Sequence, residues 1–320
     1  MVKENPLVTV IALCYNHERF VLEALQSVEN QSYNNIELII VDDFSQDNSV
    51  LTILKFLENN SDVKIIFNKI NLGNCRSFNQ ALKIANGKYI IDFSTDDVML
   101  PERITEQVKL FEESSEKIGV VYSNGVYVDE NSKPLKGGQI LNNRKMPEGN
   151  VYIDFLKGSF MMPSTMMIRK SVLDELNGYD ENLAYEDLDF WIRSARNWEY
   201  VYLPKILSYQ RVVAGSHSAS FYKRHNKLIP SVVEVCKKAL FLNKTKEENQ
   251  ALLIRMRTIM IKCVLTENFQ AGKELTKMIK DLNGHDFKSL LFSKVLLLKL
   301  PFGIISSHYV EFRRFLKFRI

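Results

Sequence analysis

Three pairs of adjacent acidic residues have the types and setting to do chemistry. Asp42-Asp43 and Asp96-Asp97 each follow a short apolar run, and Glu186-Asp187 precedes an amphipathic segment. Neighbouring carboxylates repel one another, so ionising both is costly unless a cation is present. Hard divalent ions prefer oxygen ligands and commonly take one or two carboxylates together with phosphate oxygens. These residues therefore predict metal-assisted chemistry on a phosphorylated substrate.

Helix capping is the competing interpretation of each pair. An aspartate just before a helix accepts hydrogen bonds from the first N–H groups, and a first-turn carboxylate gains about 0.3–1 kcal/mol from the helix dipole. For Asp42-Asp43 or Asp96-Asp97 alone, the two interpretations have equal weight. The presence of both pairs at one edge of the same sheet favours a metal site over helix capping. For Glu186-Asp187 capping and catalysis explain the sequence equally well.

The elements that would position these pairs alternate between strand and helix. Strands rich in Val and Ile, nearly continuous in hydrophobicity as in sheets buried on both faces, are expected at residues 7–14, 36–42, 63–67 and 88–93. Amphipathic helices are expected at 18–30, 48–59 and 76–85. This alternation predicts a mostly parallel α/β sheet flanked by helices. Right-handed crossovers then place the strand ends at one edge, where ligands bind.

The rest of the chain divides into a mixed part and a helical part. After a helix at 101–114, we expect a strand at 119–128, a long loop at 130–150, a strand at 164–168 and a helix at 187–196. Beyond residue 220 only helices are expected, at 230–242 and 246–282. We therefore predict a first domain over 1–220 and an all-helical region over 221–320, a division that suits a chain of 320 residues.

Charge and composition narrow the function classes. Residues 1–220 carry eight more acidic than basic side chains, and residues 221–320 carry twelve more basic than acidic, which indicates different partners. No glycine precedes Gly73, so the first two strand–turn–helix units carry neither GxGxxG nor a P-loop. The four cysteines form no CxxC pair, which disfavours a zinc cluster and suits a reducing cytosol. We expect no signal peptide and no membrane-spanning segment.

The motifs together resemble those of the family 2 glycosyltransferases with the GT-A fold, of the non-processive bacterial polysaccharide or oligosaccharide type. The likeness covers about residues 5–215, in five segments that follow the family's order. They are Val8–Asn16, Glu37–Asp47, Asn71–Gly73 with Asn79–Ala81, Thr95–Asp97 and Glu186-Asp187.

The resemblance implies a role for each motif. Asp43 would accept a hydrogen bond from the base of a uracil-type nucleotide, and Asp187 would be the catalytic base. The other donor-binding residues would be Tyr15, Asn16, Asn71 and Asp96, and the metal site would contain Asp97 and His217.

Two departures qualify these roles. Many members have an aspartate where this chain has Ser94, so the chain lacks the carboxylate that would make ribose or metal contacts there. The QxxRW motif of processive members is missing, which favours transfer of one sugar per encounter.

The implied activity is an inverting transfer of one sugar from a nucleotide diphosphate sugar, UDP-sugars being favoured, to an acceptor hydroxyl of a lipid-linked surface glycan, with Mn²⁺ or Mg²⁺. A sugar nucleotidyltransferase is the rival enzyme, although it normally shows a glycine-rich, basic signature near the first strand. A non-catalytic sugar-nucleotide-binding module and a membrane-peripheral scaffold are the rivals without activity, and neither would need Asp187.

The C-terminal segment 287–320 combines apolar and basic residues. Between Lys294 and Ile320 six residues are basic and one, Glu311, is acidic. Such a segment can lie in a membrane interface, or it can pack on the catalytic domain with its charges in water. No nucleic-acid recognition motif accompanies it, so a nucleic-acid partner is not expected. We predict a cytoplasmic protein, peripheral on the inner face of the cell membrane if this segment binds lipid.

Overall fold

The computed structural model describes residues 5–139, 145–213, 221 and 223–300. Within them the strands are β1 Val8–Cys14, β2 Ile36–Asp42, β3 Lys64–Phe67, β4 Tyr89–Ser94, β5 Val98–Met99, β6 Ile118–Val128, β7 Pro134–Gln139, β8 Met166–Arg169 and β9 Glu199–Arg211. The helices are α1 Val21–Glu29, α2 Ser49–Leu57, α3 Asn74–Leu82, α4 Arg103–Glu113, α5 Tyr152–Lys157, α6 Lys170–Leu176, α7 Glu186–Ser194, α8 Leu228–Leu242, α9 Lys246–Leu265, α10 Phe269–Asp281 and α11 Phe287–Leu297.

The chain forms two compact units that are not contiguous in sequence. The first consists of the described residues of 1–150, 161–181 and 197–212, and it contains all the strands named above. The second consists of the described residues of 151–160, 182–196 and 213–320, and it contains α5, α7 and α8–α11. The expected division near residue 220 stays a prediction.

The sheet of the first unit has the strand order β3-β2-β1-β4-β8-β6-β9-β5, with β7 paired to β6. The pairs β1–β2, β1–β4 and β2–β3 are parallel, whereas β8 runs antiparallel to both of its neighbours. All seven residues of β1 are buried, as expected for a central strand covered on both faces. The predicted α/β fold, with a mostly parallel sheet flanked by helices and a helical C-terminal region, is confirmed.

Helices cover the parallel half because their apolar stripes match its faces. One core cluster joins Val10 and Ala12 of β1 and Ile40 of β2 to Val21 and Leu25 of α1. The side chains of β1 alternate between faces, so these residues belong to the α1 side of the sheet. This packing fixes where each strand ends, and hence where the loops that follow it begin.

The helices of the second unit are held by capping groups and a buried arginine. Thr245 and Glu248 form a reciprocal capping box at the start of α9. Arg255 of α9 is buried and donates to the carbonyl oxygens of Phe155 and Leu156, at the end of α5. These bonds satisfy carbonyls that a helix end leaves without partners. Within residues 5–300, no described helix is long and apolar enough to cross a membrane.

Two sequence predictions for this part of the chain were wrong. The segment 246–282 is two helices, α9 and α10, because the chain turns at Thr266–Asn268 with Glu267 in a left-handed conformation. The segment 130–150 is not wholly a loop, because Pro134–Gln139 pairs with β6.

Candidate functional site

The loops after β1, β2 and β4 are bonded to one another at the carboxyl edge of the parallel strands. The backbone N–H of Asn16 donates to Ser45 Oγ at 3.0 Å, and that of Gln46 donates to Asn16 Oδ1 at 2.7 Å. His17 Nδ1 lies 2.9 Å from Thr95 Oγ1. The first loop therefore contacts the second through Asn16 and the third through His17. Two of the acidic pairs found in the sequence stand at this edge.

The turn after β2 is tightly specified. Asp42 Oδ1 accepts a hydrogen bond of 3.0 Å from the backbone N–H of Ser45, and Phe44 between them has a φ of 68°. A bulky residue in this left-handed region stores about 1–3 kcal/mol of strain. Asp42 Oδ2 is buried and has no hydrogen-bond partner in the part of the chain that the structure describes. Such sites of strain and unsatisfied polarity are found where a ligand binds.

Asp43 organises the segment that precedes α3. Its Oδ1 accepts from Asn68 Nδ2 and from the backbone N–H of Leu72, both at 2.8 Å, and its Oδ2 accepts from the N–H of Gly73 at 2.8 Å. Gly73 has a φ of 84°, a conformation that glycine adopts without cost. A carboxylate offers about four acceptor positions. Among the described residues, three of these positions are filled and one, on Oδ2, is left for a further donor. Asn71 lies exposed in the same segment.

The two aspartates after β4 have different surroundings. Asp96 is half-buried, and its Oδ1 accepts from Ser94 Oγ at 2.5 Å. Asp97 is buried, and its Oδ1 accepts from the backbone N–H of Arg211 at 2.9 Å. Burial raises the pKa of the Asp97 carboxyl well above its usual range, and the neighbouring charge of Asp96 raises it further. An ionised Asp97 is therefore costly in the protein alone.

Arg211 fixes the loop that carries these aspartates. Its Nε donates to the carbonyl oxygen of Asp96 at 2.8 Å, and its Nη1 donates to those of Asp129 and Glu130 at 3.2 and 3.1 Å. Its Nη2 pairs with Glu23 at 2.7 Å. The guanidinium is almost fully buried, so these bonds form away from competing water. The end of β9 thus holds the backbone at Asp96 in place.

The charge of Asp97 also affects the pKa values of two further groups, the buried Arg103 and the half-buried Tyr127. Arg103 is buried and donates to the carbonyl oxygen of Met166 at 2.9 Å. Burial lowers the pKa of Arg103 to about 10, and the charge of Asp97 acts against that shift. The pKa of Tyr127 is raised to about 12, first by burial and then by Asp97.

A divalent cation fits these residues. Its charge would offset both the burial of Asp97 and the repulsion from Asp96. Among the described residues, no group of three or more His, Cys, Asp or Glu side chains could hold a metal. The ion would therefore take most of its ligands from elsewhere, as Mg²⁺ does when it binds through one or two carboxylates and substrate phosphates. His217, the second expected ligand, lies outside the described residues.

Asp187 belongs to the second unit, where it lies in the first turn of α7. Asp187 is half-buried and lies two residues after Tyr185, the residue that precedes the helix. Burial raises the pKa of the Tyr185 hydroxyl to about 12, and the charge of Asp187 contributes to that rise. Ser231 Oγ accepts from the backbone N–H groups of Ala184 and Tyr185 at 3.0 and 3.1 Å. The approach to Asp187 is thus anchored on α8.

The third acidic residue in the first turn of α7, Asp189, has a structural role. Asp189 is buried and forms ion pairs with Arg193 at 2.6 Å and Lys238 at 2.8 Å. Tyr15, expected at the donor site, lies just after β1 with 44% of its surface exposed. The sequence reasoning missed Arg103 and the buried contacts of Arg211. The only signal for Arg211 was its place in Tyr209–Arg211, a segment that, with Gly215–Ser218 after it, resembles the terminal loop of the non-processive members.

The chain belongs to glycosyl transferase family 2. The model of that family matches residues 9–176, more than half of the chain. An uncharacterised glycosyltransferase of Methanocaldococcus jannaschii is 35% identical over 198 residues, which are 61% of this chain and 66% of that protein. The chain therefore spans slightly less than two thirds of that relative's length.

Solved structures share the fold at low sequence identity. A structure of S. aureus TarS residues 1–349 in complex with UDP-GlcNAc has a TM-score of 0.65 at 19% identity, covering 98% of this chain and 89% of that one. The mannosyltransferase PcManGT of Pyrobaculum calidifontis, in complex with GDP-Man and Mn²⁺, has a TM-score of 0.59 at 16% identity, covering 98% and 86%. The GT-A fold expected from the sequence is confirmed, and so is a transferase as the class of enzyme.

Proposed function

We propose that this chain transfers one sugar from a nucleoside diphosphate sugar, UDP-sugars being favoured, to an acceptor hydroxyl with inversion at the anomeric carbon. The main support is the carboxyl edge of the first unit, where the loops after β1, β2 and β4 are joined through Asn16 and His17. That edge presents a nearly satisfied carboxylate, Asp43, and a poorly compensated one, Asp97. The first suits recognition of a neutral base, and the second suits a cation.

The donor would lie across this edge. Asp43 Oδ2 has an acceptor position left for the imide N–H of a uracil ring, and Tyr15, Asn16 and Asn71 would line the nucleoside. Asp96 would contact the ribose or the diphosphate. UDP-GlcNAc is bound by TarS and GDP-Man by PcManGT, so either base occurs on this fold.

The proposed chemistry is a single displacement. Asp187 accepts the proton of the acceptor hydroxyl while the acceptor oxygen forms a bond to the anomeric carbon. The bond from that carbon to the diphosphate oxygen breaks, and its electron pair leaves with the diphosphate. Asp97, with Asp96 beside it, would hold Mn²⁺ or Mg²⁺, which supplies charge neutralisation for the leaving group when bound. One base and no second carboxylate nucleophile favour inversion.

The proposed acceptor is a lipid-linked glycan. Support comes from the charge of the C-terminal region, where basic side chains exceed acidic ones by twelve over residues 221–320. A basic region favours approach to anionic membrane surfaces, where such acceptors are held.

A panel of nucleotide sugars tests the proposal. The full chain is incubated with UDP-, GDP-, dTDP- and CMP-linked sugars, each with Mn²⁺, Mg²⁺ or a chelator, and nucleotide release is measured. We expect release from one or a few UDP-sugars, with the metal required. Release without metal, or from no member of the panel with any acceptor extract, would count against it.

A further inference from the structure

The last described helix, α11, is oriented by its inner face. Leu296 and Ser289 are buried, and Leu296 packs where Gly272 of α10 has no side chain. A Cβ at Gly272 would lie 2.6 Å from Leu296 Cδ2, so a larger residue there would force the Leu296 side chain to shift. A capping box between Asp286 and Ser289 fixes the start of the helix. The rotation of α11 about its axis is therefore set by specific contacts within the second unit.

The outer face of α11 is apolar, as its inner face is. The exposed fractions are 82% for Phe287, 48% for Leu290, 50% for Leu291, 69% for Leu297 and 67% for Leu298. Their spacing of three, four and seven residues places them on one stripe of the helix. A helix of a water-soluble domain shows the opposite pattern, with the polar face outward. We call these five side chains the α11 stripe.

The α11 stripe is also unusual for this chain. Elsewhere in the described residues, exposed large apolar side chains occur in ones and twos along the sequence, such as Leu51 with Leu54 or the isolated Phe241. Scattered exposure of this kind needs no explanation, whereas a contiguous patch marks a surface that binds something.

The charges around the stripe indicate its partner. Lys294 lies within the stripe by helical spacing, Lys288 and Lys299 flank it, and no acidic residue occurs from 287 to 300. The next twenty residues of the sequence contain four basic residues and one acidic residue. Lysine side chains can extend their ammonium groups from an apolar surface to anionic headgroups. Apolar side chains with cations at their edge are the pattern of a helix lying in a membrane interface.

A second copy of the chain is a poorer partner. A symmetric dimer places a patch against itself, so Lys294 would meet the lysines of the other copy with no acidic side chain on the stripe to offset them. Anionic phospholipids supply the missing negative charge. The described helix has 11 residues, and a span needs about 20, so α11 would lie on the bilayer rather than cross it.

We propose that the α11 stripe docks on an anionic phospholipid bilayer, with Phe287 and the four leucines inserted among the acyl chains and Lys288, Lys294 and Lys299 at the headgroups. This surface is independent of the donor site and stands whether or not the proposed sugar transfer is correct.

Co-sedimentation with vesicles tests the apolar part of this inference. The full chain is mixed with vesicles of phosphatidylcholine alone or with phosphatidylglycerol added. We expect binding to the anionic vesicles, and a loss of about tenfold or more in the triple variant Phe287→Ser, Leu291→Ser, Leu298→Ser. The control variant Leu22→Ser, Leu51→Ser, Leu54→Ser removes three exposed leucines elsewhere and should bind as the wild type does. Melting by circular dichroism confirms that both variants are folded.

Charge reversal tests the basic part. The variant Lys288→Glu, Lys294→Glu, Lys299→Glu should lose binding to anionic vesicles, and wild-type binding should weaken as salt is raised. If the serine variant bound anionic vesicles as strongly as the wild type does, the proposal would be overturned. The proposal would also be overturned if the wild type bound no vesicles and instead formed a dimer that is lost in the serine variant. Amide exchange offers a third measure: protection of residues 287–298 without vesicles, unchanged when they are added, would mean that another part of the chain covers the stripe.

Discussion

Asp43 and Asp97 are both buried, yet their carboxylates are compensated very differently. Asp43 accepts three hydrogen bonds from the segment before α3, so its charge is stabilised by fixed dipoles. Asp97 accepts a backbone N–H from Arg211, and its pKa is raised well above the usual range by burial and by Asp96. A carboxylate with filled hydrogen bonds, such as Asp43, suits recognition of a neutral ligand. A carboxylate with few partners, such as Asp97, suits binding of a cation.

Replacing Asp187 by asparagine tests its proposed role as base. Asparagine keeps the size of the side chain but cannot accept the proton, so we predict a fall in kcat of about 100-fold or more. Donor affinity, measured by calorimetry with UDP-sugar and Mn²⁺, should stay the same. The matched control is Glu186→Gln at the preceding position, for which activity should fall by no more than about threefold. Near-normal turnover in Asp187→Asn would show that another group takes the proton.

Arg211 offers a test of positioning rather than of chemistry. In Arg211→Lys the single ammonium cannot bond to the carbonyls of Asp96, Asp129 and Glu130 together. The loop that carries Asp96 and Asp97 should therefore be held less rigidly. We predict that the affinity for Mn²⁺ with UDP falls by about fivefold or more, whereas the pH profile of kcat is unchanged.

Arg19 supplies the control for that substitution. Arg19 forms an ion pair with the carboxylate of Glu130 at 2.6 Å, but its side chain is 58% exposed. Exposed pairs of this kind contribute little, so Arg19→Lys should leave the metal affinity within about twofold of the wild type. Equal affinities in both variants would remove the positioning role of Arg211.

At the scale of the elements, Glu37 of β2 links three parts of the sheet edge opposite the site. It accepts from Thr9 Oγ1 of β1 at 2.5 Å, from Lys64 Nζ of β3 at 2.6 Å and from the backbone N–H of Asn86 at 2.8 Å. Burial alone would raise the pKa of Glu37, but the hydrogen bonds from Asn86, Lys64 and Thr9 outweigh it and lower the pKa to about 2.

Glu37→Gln should therefore destabilise the protein in a pH-dependent way. The folded-state pKa of Glu37 lies below its ordinary value of 4.5, so its stabilisation is present above that value and is lost as pH falls toward 2. In urea unfolding, the variant should be less stable than the wild type at neutral pH, and the difference should shrink as the pH is lowered. Glu58→Gln, at an exposed position after α2, should show neither effect. A difference that stays constant with pH would contradict the assignment.

The parallel half of the fold could be predicted from the sequence because each strand there is a local signal. The expected strands at 36–42 and 88–93 match β2 and β4 to within a residue at each end. Continuous burial leaves an almost unbroken run of Val and Ile, and the acidic residues follow where the run ends. The positions of Asp43 and Asp97 at one edge then follow from the parallel arrangement.

The parts that the sequence did not predict depend on contacts distant along the chain. β9 was missed because Glu199–Arg211 contains Pro204 next to the exposed Lys205, and its long pairing with β6 shifts register twice around Asn124. The break between α9 and α10 has no glycine or proline to signal it. There, Glu267 adopts a φ of 55° while its buried carboxylate pairs with Arg224. The bond between Arg211 and Asp97 joins residues 114 positions apart.

At the scale of the whole molecule, the chain leaves its first unit and returns to it. The segments 151–160 and 182–196 belong to the helical unit, because Arg255 binds the carbonyls that end α5 and Ser231 binds the chain before α7. The proposed base therefore belongs to a different unit from the proposed nucleotide and metal residues. Donor binding and proton removal should then be separable by mutation.

Thermal unfolding can detect donor binding separately from turnover. A ligand that binds only the folded protein stabilises it by mass action. UDP with Mn²⁺ at about 100 times its Kd should add about 2.7 kcal/mol to the free energy of unfolding and raise Tm. A chelator should abolish this rise, and so should Asp97→Asn, because both remove the link between the protein and the diphosphate. In Asp187→Asn the rise should be complete although turnover is lost. If Asp97→Asn retained the metal-dependent rise, or Asp187→Asn lost it, the division of roles between the two aspartates would be wrong.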